Sequence, residues 1–259
     1  MPPVPARVRP AGPRRLPPGA LGGLLAPWAA LKLLAGRPRL WWLCVGPFII
    51  NLGLFVLFFW LGYGHLQDWV ARLLPDSSQW WWQALAWLLM LVLLLTLLLV
   101  EVYVFVVVGR VVAAPFLEVL TRRVERLYGV EGWPREPGVL ASLGRALGHG
   151  LVRLGLFGLV MFPLWLLGLL LPGLGSLAAS LLAWVITCFF LAGEFLDYPL
   201  ERRGFSFWAK LGYVRRLGAA GLAFGAVVFL LGAVPVVNLA LLPLAAVGGT
   251  LLYLERPRA

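Results

Sequence analysis

The sequence predicts an all-α integral membrane protein: two long transmembrane helices, two re-entrant (partly penetrating) helical hairpins, and amphipathic interfacial helices. Three observations predict it. Of 259 residues, 61% are hydrophobic, against about 45–50% apolar in a soluble domain, and several runs of about 18 or more residues carry little or no charge, as membrane helices do. Tryptophans gather at the ends of these runs, Trp41-Trp42 and Trp80-Trp81-Trp82, where an aromatic belt sits. The cations are segregated. Of the 22 Lys and Arg, Arg72 alone lies in the loop between the first two apolar runs, so the positive-inside rule places both termini and both long connections in the cytoplasm.

The elements follow in order. Residues 1–20, rich in proline and arginine, read as a disordered basic cytoplasmic tail; residues 21–256 read as a single helical membrane domain. Arg14-Arg15 is not followed by a compact apolar region with a small-residue cleavage site, and is not read as an export signal. LLAPWAALKLLA (24–35) suits a helix lying flat at the interface. Arg37 and Arg39 then precede Trp41 and Trp42, cations at the headgroups with indoles just inside. The first span runs from about Leu40 to Leu61. Pro47 removes one backbone donor and predicts a bend, with Asn51 one turn later. GYGHLQDWVARLLPDSSQ reads as an outer loop. The second span, from the Trp80–Trp82 belt to Gly109-Arg110, is about 43 Å long as helix and overshoots or tilts in a core of about 30 Å. Next, VVAAPFLEVLTRRVERLYG spaces Phe116, Leu117, Leu120, Val124, Leu127 and Tyr128 as one face of an amphipathic helix, with Glu118, Arg122, Arg123, Glu125 and Arg126 mostly on the other and Gly129 as its stop.

Two apolar hairpins close the chain. One runs from Leu151 to Phe195 around LLPGLGS, the other from about Leu217 to Leu254 around AVPVVN; between them lies a basic, partly amphipathic connection. Both hairpins enter and leave on the basic side. Arms of about 16–21 residues span roughly 24–32 Å, enough to cross. Their tips, however, hold no charge and little polarity beyond Ser176 and Asn238, whereas a turn in outside water favours Asn, Asp and Ser. Tips that stay within the membrane fit better. Their irregular backbone must then face protein or a water-filled cavity.

Few polar groups lie in the apolar runs. Glu101 is the deepest acid, either a proton carrier or pore-lining charge, or a neutral hydrogen-bonded residue that fixes helix packing. Glu194 and Asp197 share a helix face where the first hairpin returns, with Arg202 and Arg203 just beyond. They read as an interfacial ion-pair cluster or as groups that handle ions. Arg37 and Arg39 bracket Pro38; guanidinium forks suit tetrahedral oxyanions, and topology alone also accounts for them. Asn51 and Asn238 sit at bends and suit interhelical hydrogen bonds. His149 is weak evidence for a pH switch. Cys44 and Cys188, both in apolar runs, make neither a disulfide framework nor a metal site. No phosphate loop, zinc-protease motif or nucleophile with a plausible base is present, so no enzyme and no cofactor is expected. Nothing resembles a base-reading element for nucleic acid.

Four stretches, PRLWWLCVGPFIINLGLF, VVAAPFLEVLTRRVE, EFLDYPLERRGFSF and GAVPVVNLALLPLAAVGGTLLY, together resemble the CysZ-type sulfate permeases and the wider superfamily that includes the eukaryotic etoposide-induced membrane proteins. They cover most of the chain from about Leu31 to Tyr253. The resemblance implies two long transmembrane helices with two partly inserted hairpins, assembly as a homo-oligomer among membrane lipids, and uptake of sulfate or a related small anion across the bacterial inner (cytoplasmic) membrane. CysZ proteins carry a sulfate-binding Gly-Leu-Arg before the first long helix. That place here reads PRLWW: with Leu40 in register, Arg39 falls on the glycine and Trp41 on the arginine, and Arg37 or Arg39 would have to substitute. Two negative charges moved inward against 100 mV cost about 4.6 kcal/mol; proton coupling through Glu101, Glu194 or Asp197 would offset that. The competing expectation is a non-transporting scaffold that shapes the bilayer through its hairpins.

Overall fold

The structure, a computed structural model, describes residues 16–73, 79–130, 139–171 and 173–256. Among them are eight helices and no strand: α1 (Ala20–Ala35), α2 (Pro38–Leu73), α3 (Trp80–Leu127), α4 (Val139–Leu170), α5 (Leu174–Arg202), α6 (Phe207–Leu217), α7 (Ala219–Gly232) and α8 (Pro235–Glu255). Most of the predicted tail lies outside the described residues. The chain divides into two compact units. One is Trp41–Leu117; the other joins the residues up to Leu40 with those from Glu118 onward. Among the described residues, four helical stretches can cross a membrane by length and composition, Pro38–Val70, Trp80–Leu127, Gly150–Leu170 and Leu174–Arg202, or five if the bent pair Phe207–Leu217 and Ala219–Gly232 is one span. This is an all-α membrane protein.

In the Trp41–Leu117 unit, α2 and α3 run antiparallel. The contacts descend in register: Gly46 faces Phe116, Asn51 faces Gly109, Phe55 meets Phe105 edge-on at 5.7 Å, and Gly62 faces Leu97. Phe55, Phe59 and Tyr63 stack one turn apart along α2. Most remaining apolar side chains of this unit point outward; Trp60, Trp87 and Leu99 are each more than 70% exposed, as lipid-facing residues are.

Both helices outrun their predicted ends. α2 continues through the stretch read as an outer loop as far as Leu73. Gly62 is a packing point rather than a turn, since a β-carbon there would stand 2.8 Å from Leu97 Cδ1. Likewise, α3 does not stop at Arg110; the amphipathic segment is its own continuation, with Pro115 inside. An interior proline removes one backbone donor and crowds the carbonyl four residues earlier, yet α3 runs 48 residues, about 72 Å.

The larger unit is centred on α1, α5, α7 and α8. Their backbones touch where glycine allows it. A β-carbon on Gly23 of α1 would overlap the Ala220 carbonyl oxygen of α7, and one on Gly225 of α7 would overlap that of Cys188 on α5. Such small-residue contacts bring helices together in membranes, where lipid removes the hydrophobic drive. Ala26, Ala30, Ala192, Leu196, Phe224, Ala245, Val247 and Leu252 fill the core at 0% exposure. α1 is thus not only an interfacial helix: one face is core, while Leu21, Leu24, Trp28 and Leu31 face out.

Both predicted hairpins are present. α4 and α5 join at residues 171–173, where Gly173 takes φ 84°; α7 and α8 join at Ala233-Val234.

Candidate functional site

Glu101 and Asn51 come together in the Trp41–Leu117 unit. Both are buried, at 6% and 5% exposure. Asn51 Nδ2 donates to the Phe105 carbonyl oxygen of α3 at 3.0 Å. The approach needs Gly109, where a β-carbon would stand 2.6 Å from Nδ2. Glu101 lies one turn before Phe105. The two polar residues line one cleft with Leu54, Phe55, Phe58, Val104, Phe105 and Val108. Its open interior is about 10 Å³, the size of one water molecule. The cleft can hold a proton or a water and is too small for a tetrahedral oxyanion.

Arg37 and Arg39 stand at the start of α2. The Arg37 carbonyl accepts from the Leu40 amide at 2.9 Å and its own amide donates to Leu34. Its side chain is half-buried, while that of Arg39 is exposed. Burial pushes the Tyr128 phenol up; the Glu255 carboxylate acts in the same direction and the Arg37 guanidinium opposes them.

The larger unit holds an ion network at the C-terminal ends of α3 and α5. Glu125 of α3 is fully buried. Arg202 grips its Oε2 through Nε and Nη2, each at 2.8 Å, and Arg203 Nη1 reaches Oε1 at 2.9 Å. Arg202 Nη1 also donates to Glu118 Oε1 at 2.9 Å and Thr121 Oγ1 at 3.0 Å. Arg203 donates to the Pro199 carbonyl and lies over the Tyr253 ring at 4.2 Å. Asp197 takes Arg153 Nη2 at 3.0 Å and Lys210 Nζ at 2.6 Å, and Lys210 also pairs with Glu201. Both helices end in the same way just past these residues. Gly129 and Gly204 have φ of 74° and 69°, and the next amides, of Val130 and Phe205, reach back to the Glu125 and Leu200 carbonyls, a Schellman closure.

Asp197 therefore sits between two cations. Glu194, one turn earlier on α5, is half-buried. Asn238 belongs to α8, and its side chain, like that of His149, lies outside what is described. Cys44 is half-buried and Cys188 buried. Among the described residues no three His, Cys, Asp or Glu gather to hold a metal.

Sequence reasoning missed Glu125, Glu118, Thr121 and Lys210. The pattern puts Glu125 on the polar face of its helix; α5 covers that part of the face with two arginines. A signal exists in the spacing, since Glu118, Thr121 and Glu125 lie three and four apart and share one stripe.

The family model described as "Sulfate transporter CysZ/Etoposide-induced protein 2.4" matches residues 26–243. The chain is 28% identical over 218 residues to the sulfate transporter CysZ of Pectobacterium atrosepticum, covering 82% of this chain and 77% of that one. It is similarly 28% identical over 213 residues to that of Pseudomonas fluorescens (81% and 84% covered), and 29% identical over 223 residues to that of Salmonella typhimurium (82% and 84%).

Proposed function

Because the chain belongs to the family of sulfate transporter CysZ and etoposide-induced protein 2.4, we propose that it is a permease for sulfate or a related small oxyanion in a bacterial inner membrane. The observation that carries this reading is the similarity, over most of both chains, to proteins named sulfate transporter CysZ. The segregation of arginines supports cytoplasmic termini. The apolar hairpin tips support hairpins that re-enter rather than cross, and we take the working form to be a homo-oligomer.

Arg37 and Arg39 meet the anion at the cytoplasmic end of α2. The charge of sulfate makes passive entry unfavourable, and we assign the compensating proton to Glu101. Asp197, which pairs with Arg153 and Lys210, is a secondary candidate. Glu194 stands beside it on α5, and Asn51 serves the contact of α2 with α3.

The test is uptake of labelled sulfate into liposomes holding the purified protein, with empty liposomes as control. Uptake reduced by selenate or sulfite is expected. No uptake by folded, inserted protein would overturn the proposal and favour another solute or a scaffold.

A further inference from the structure

Within the larger unit α6 and α7 meet at a sharp bend. Their axes differ by 97°, and the join is Gly218 alone, at φ 54°. The two helices differ in kind. α7, AAGLAFGAVVFLLG, carries no charge. α6, FWAKLGYVRRL, carries three cations and no acid. An uncharged helix that enters the bilayer forces a helix perpendicular to it to lie along the surface.

α6 has two faces. Its inner face buries Lys210, Tyr213, Val214 and Leu217. Lys210 is held there by Asp197 and Glu201, so these acids are turned inward. Its outer face shows Trp208 at 67% exposure, with Arg215 and Arg216 also exposed. Trp208 and Arg215 are seven residues apart and share one stripe of the helix. Between them lies Gly212, around which a β-carbon would meet nothing within 4 Å. The stripe therefore reads indole, bare backbone, guanidinium. Tryptophan with arginine on the outer side of a surface-lying helix suits the headgroup layer, the indole at the acyl boundary and the cation at phosphate.

We propose that the outer face of α6 is a binding site for an anionic phospholipid, its phosphate lying over Gly212 between Trp208 and Arg215, with Arg216 beside it. The site requires the membrane but not the transport reading, and its test involves no uptake.

The full chain in detergent is titrated with phosphatidylglycerol or with phosphatidylcholine of the same acyl chains, and bound lipid is counted by native mass spectrometry. Phosphatidylglycerol should bind more tightly. R215Q should weaken it about fivefold, and R215Q/R216Q about fivefold further, as for cations at a lipid surface. G212L should also weaken it by filling the cradle without changing charge, while R72Q, remote in sequence, should not. Excess inorganic phosphate should leave the lipid bound. Equal affinity for the two lipids, wild-type binding by R215Q/R216Q, or displacement by inorganic phosphate would overturn the proposal. Weakening in R215Q/R216Q without weakening in G212L would overturn the cradle. All variants sit on an outer face, and circular dichroism confirms their helices.

Discussion

Arg202 closes on the buried carboxylate of Glu125 across 77 residues of chain, Nε to Oε2 at 2.8 Å. Breaking a buried pair from one side leaves an uncompensated charge, which costs about 3–5 kcal/mol. R202A leaves Glu125 only Arg203 as partner, so it should lower the thermal midpoint of the detergent-solubilised protein by part of that cost. E125L/R202M should lower it far less than the single changes combined, because both charges leave together. Arg203 would then keep its carbonyl and ring contacts at Pro199 and Tyr253.

The Asn51–Phe105 hydrogen bond and Gly109 form one device. Interhelical hydrogen bonds in membranes contribute about 0.6 kcal/mol on average and at most about 1.7. N51A should therefore cost little, and G109A should cost at least as much by driving a β-carbon into the same amide. The double variant N51A/G109A should cost less than the sum, a coupling readable in a double-mutant cycle of unfolding midpoints.

Proton coupling at Glu101 predicts sulfate uptake that rises as the outside is acidified and an E101Q variant in which that dependence is gone. D197N provides the contrast. Removing its charge takes the carboxylate from Arg153 and leaves Lys210 only Glu201, so stability should fall while the pH profile keeps its shape. An E101Q profile that matches the wild type would remove Glu101 from the mechanism.

Close helix contact in the larger unit predicts a sharp steric difference between glycines. G225A places a β-carbon in the Cys188 carbonyl, and overpacking of this kind costs about 1–3 kcal/mol or more. G158A, in open space on α4, should cost nothing measurable. Thermal midpoints of the two variants check this directly.

Legibility in the sequence followed the range of the interactions. Hairpins 1 and 2 were legible because apolar arms and Pro-Gly or Pro tips are local features, and the Gly129 stop because a glycine past an amphipathic run is a local signal. The ends of α2 and α3 were not. Gly62 looks like a turn residue until Leu97 is seen beside it, and Gly109-Arg110 looks like the end of a span until the helix is seen to continue. Of the polar residues, Asn51 and Glu101 stand out because everything around them is apolar. Glu125 does not, since Glu118, Arg122, Arg123 and Arg126 surround it in the sequence and hide it. Its burial depends on arginines 77 and 78 residues away, a relation that no periodicity carries.

The last described residue has a topological consequence. Arg256 Nη2 donates to the Pro17 carbonyl at 3.1 Å and lies 3.3 Å from that of Gly19, while its own carbonyl accepts from Tyr213 Oη at 2.7 Å. Residues that share hydrogen bonds share a side of the bilayer. The number of complete crossings between positions 17 and 256 is therefore even, whatever the depth of each hairpin. This parity does not depend on counting arginines. Reporters fused at the two ends should always read the same compartment, and losing one complete crossing from the middle would have to break this clasp.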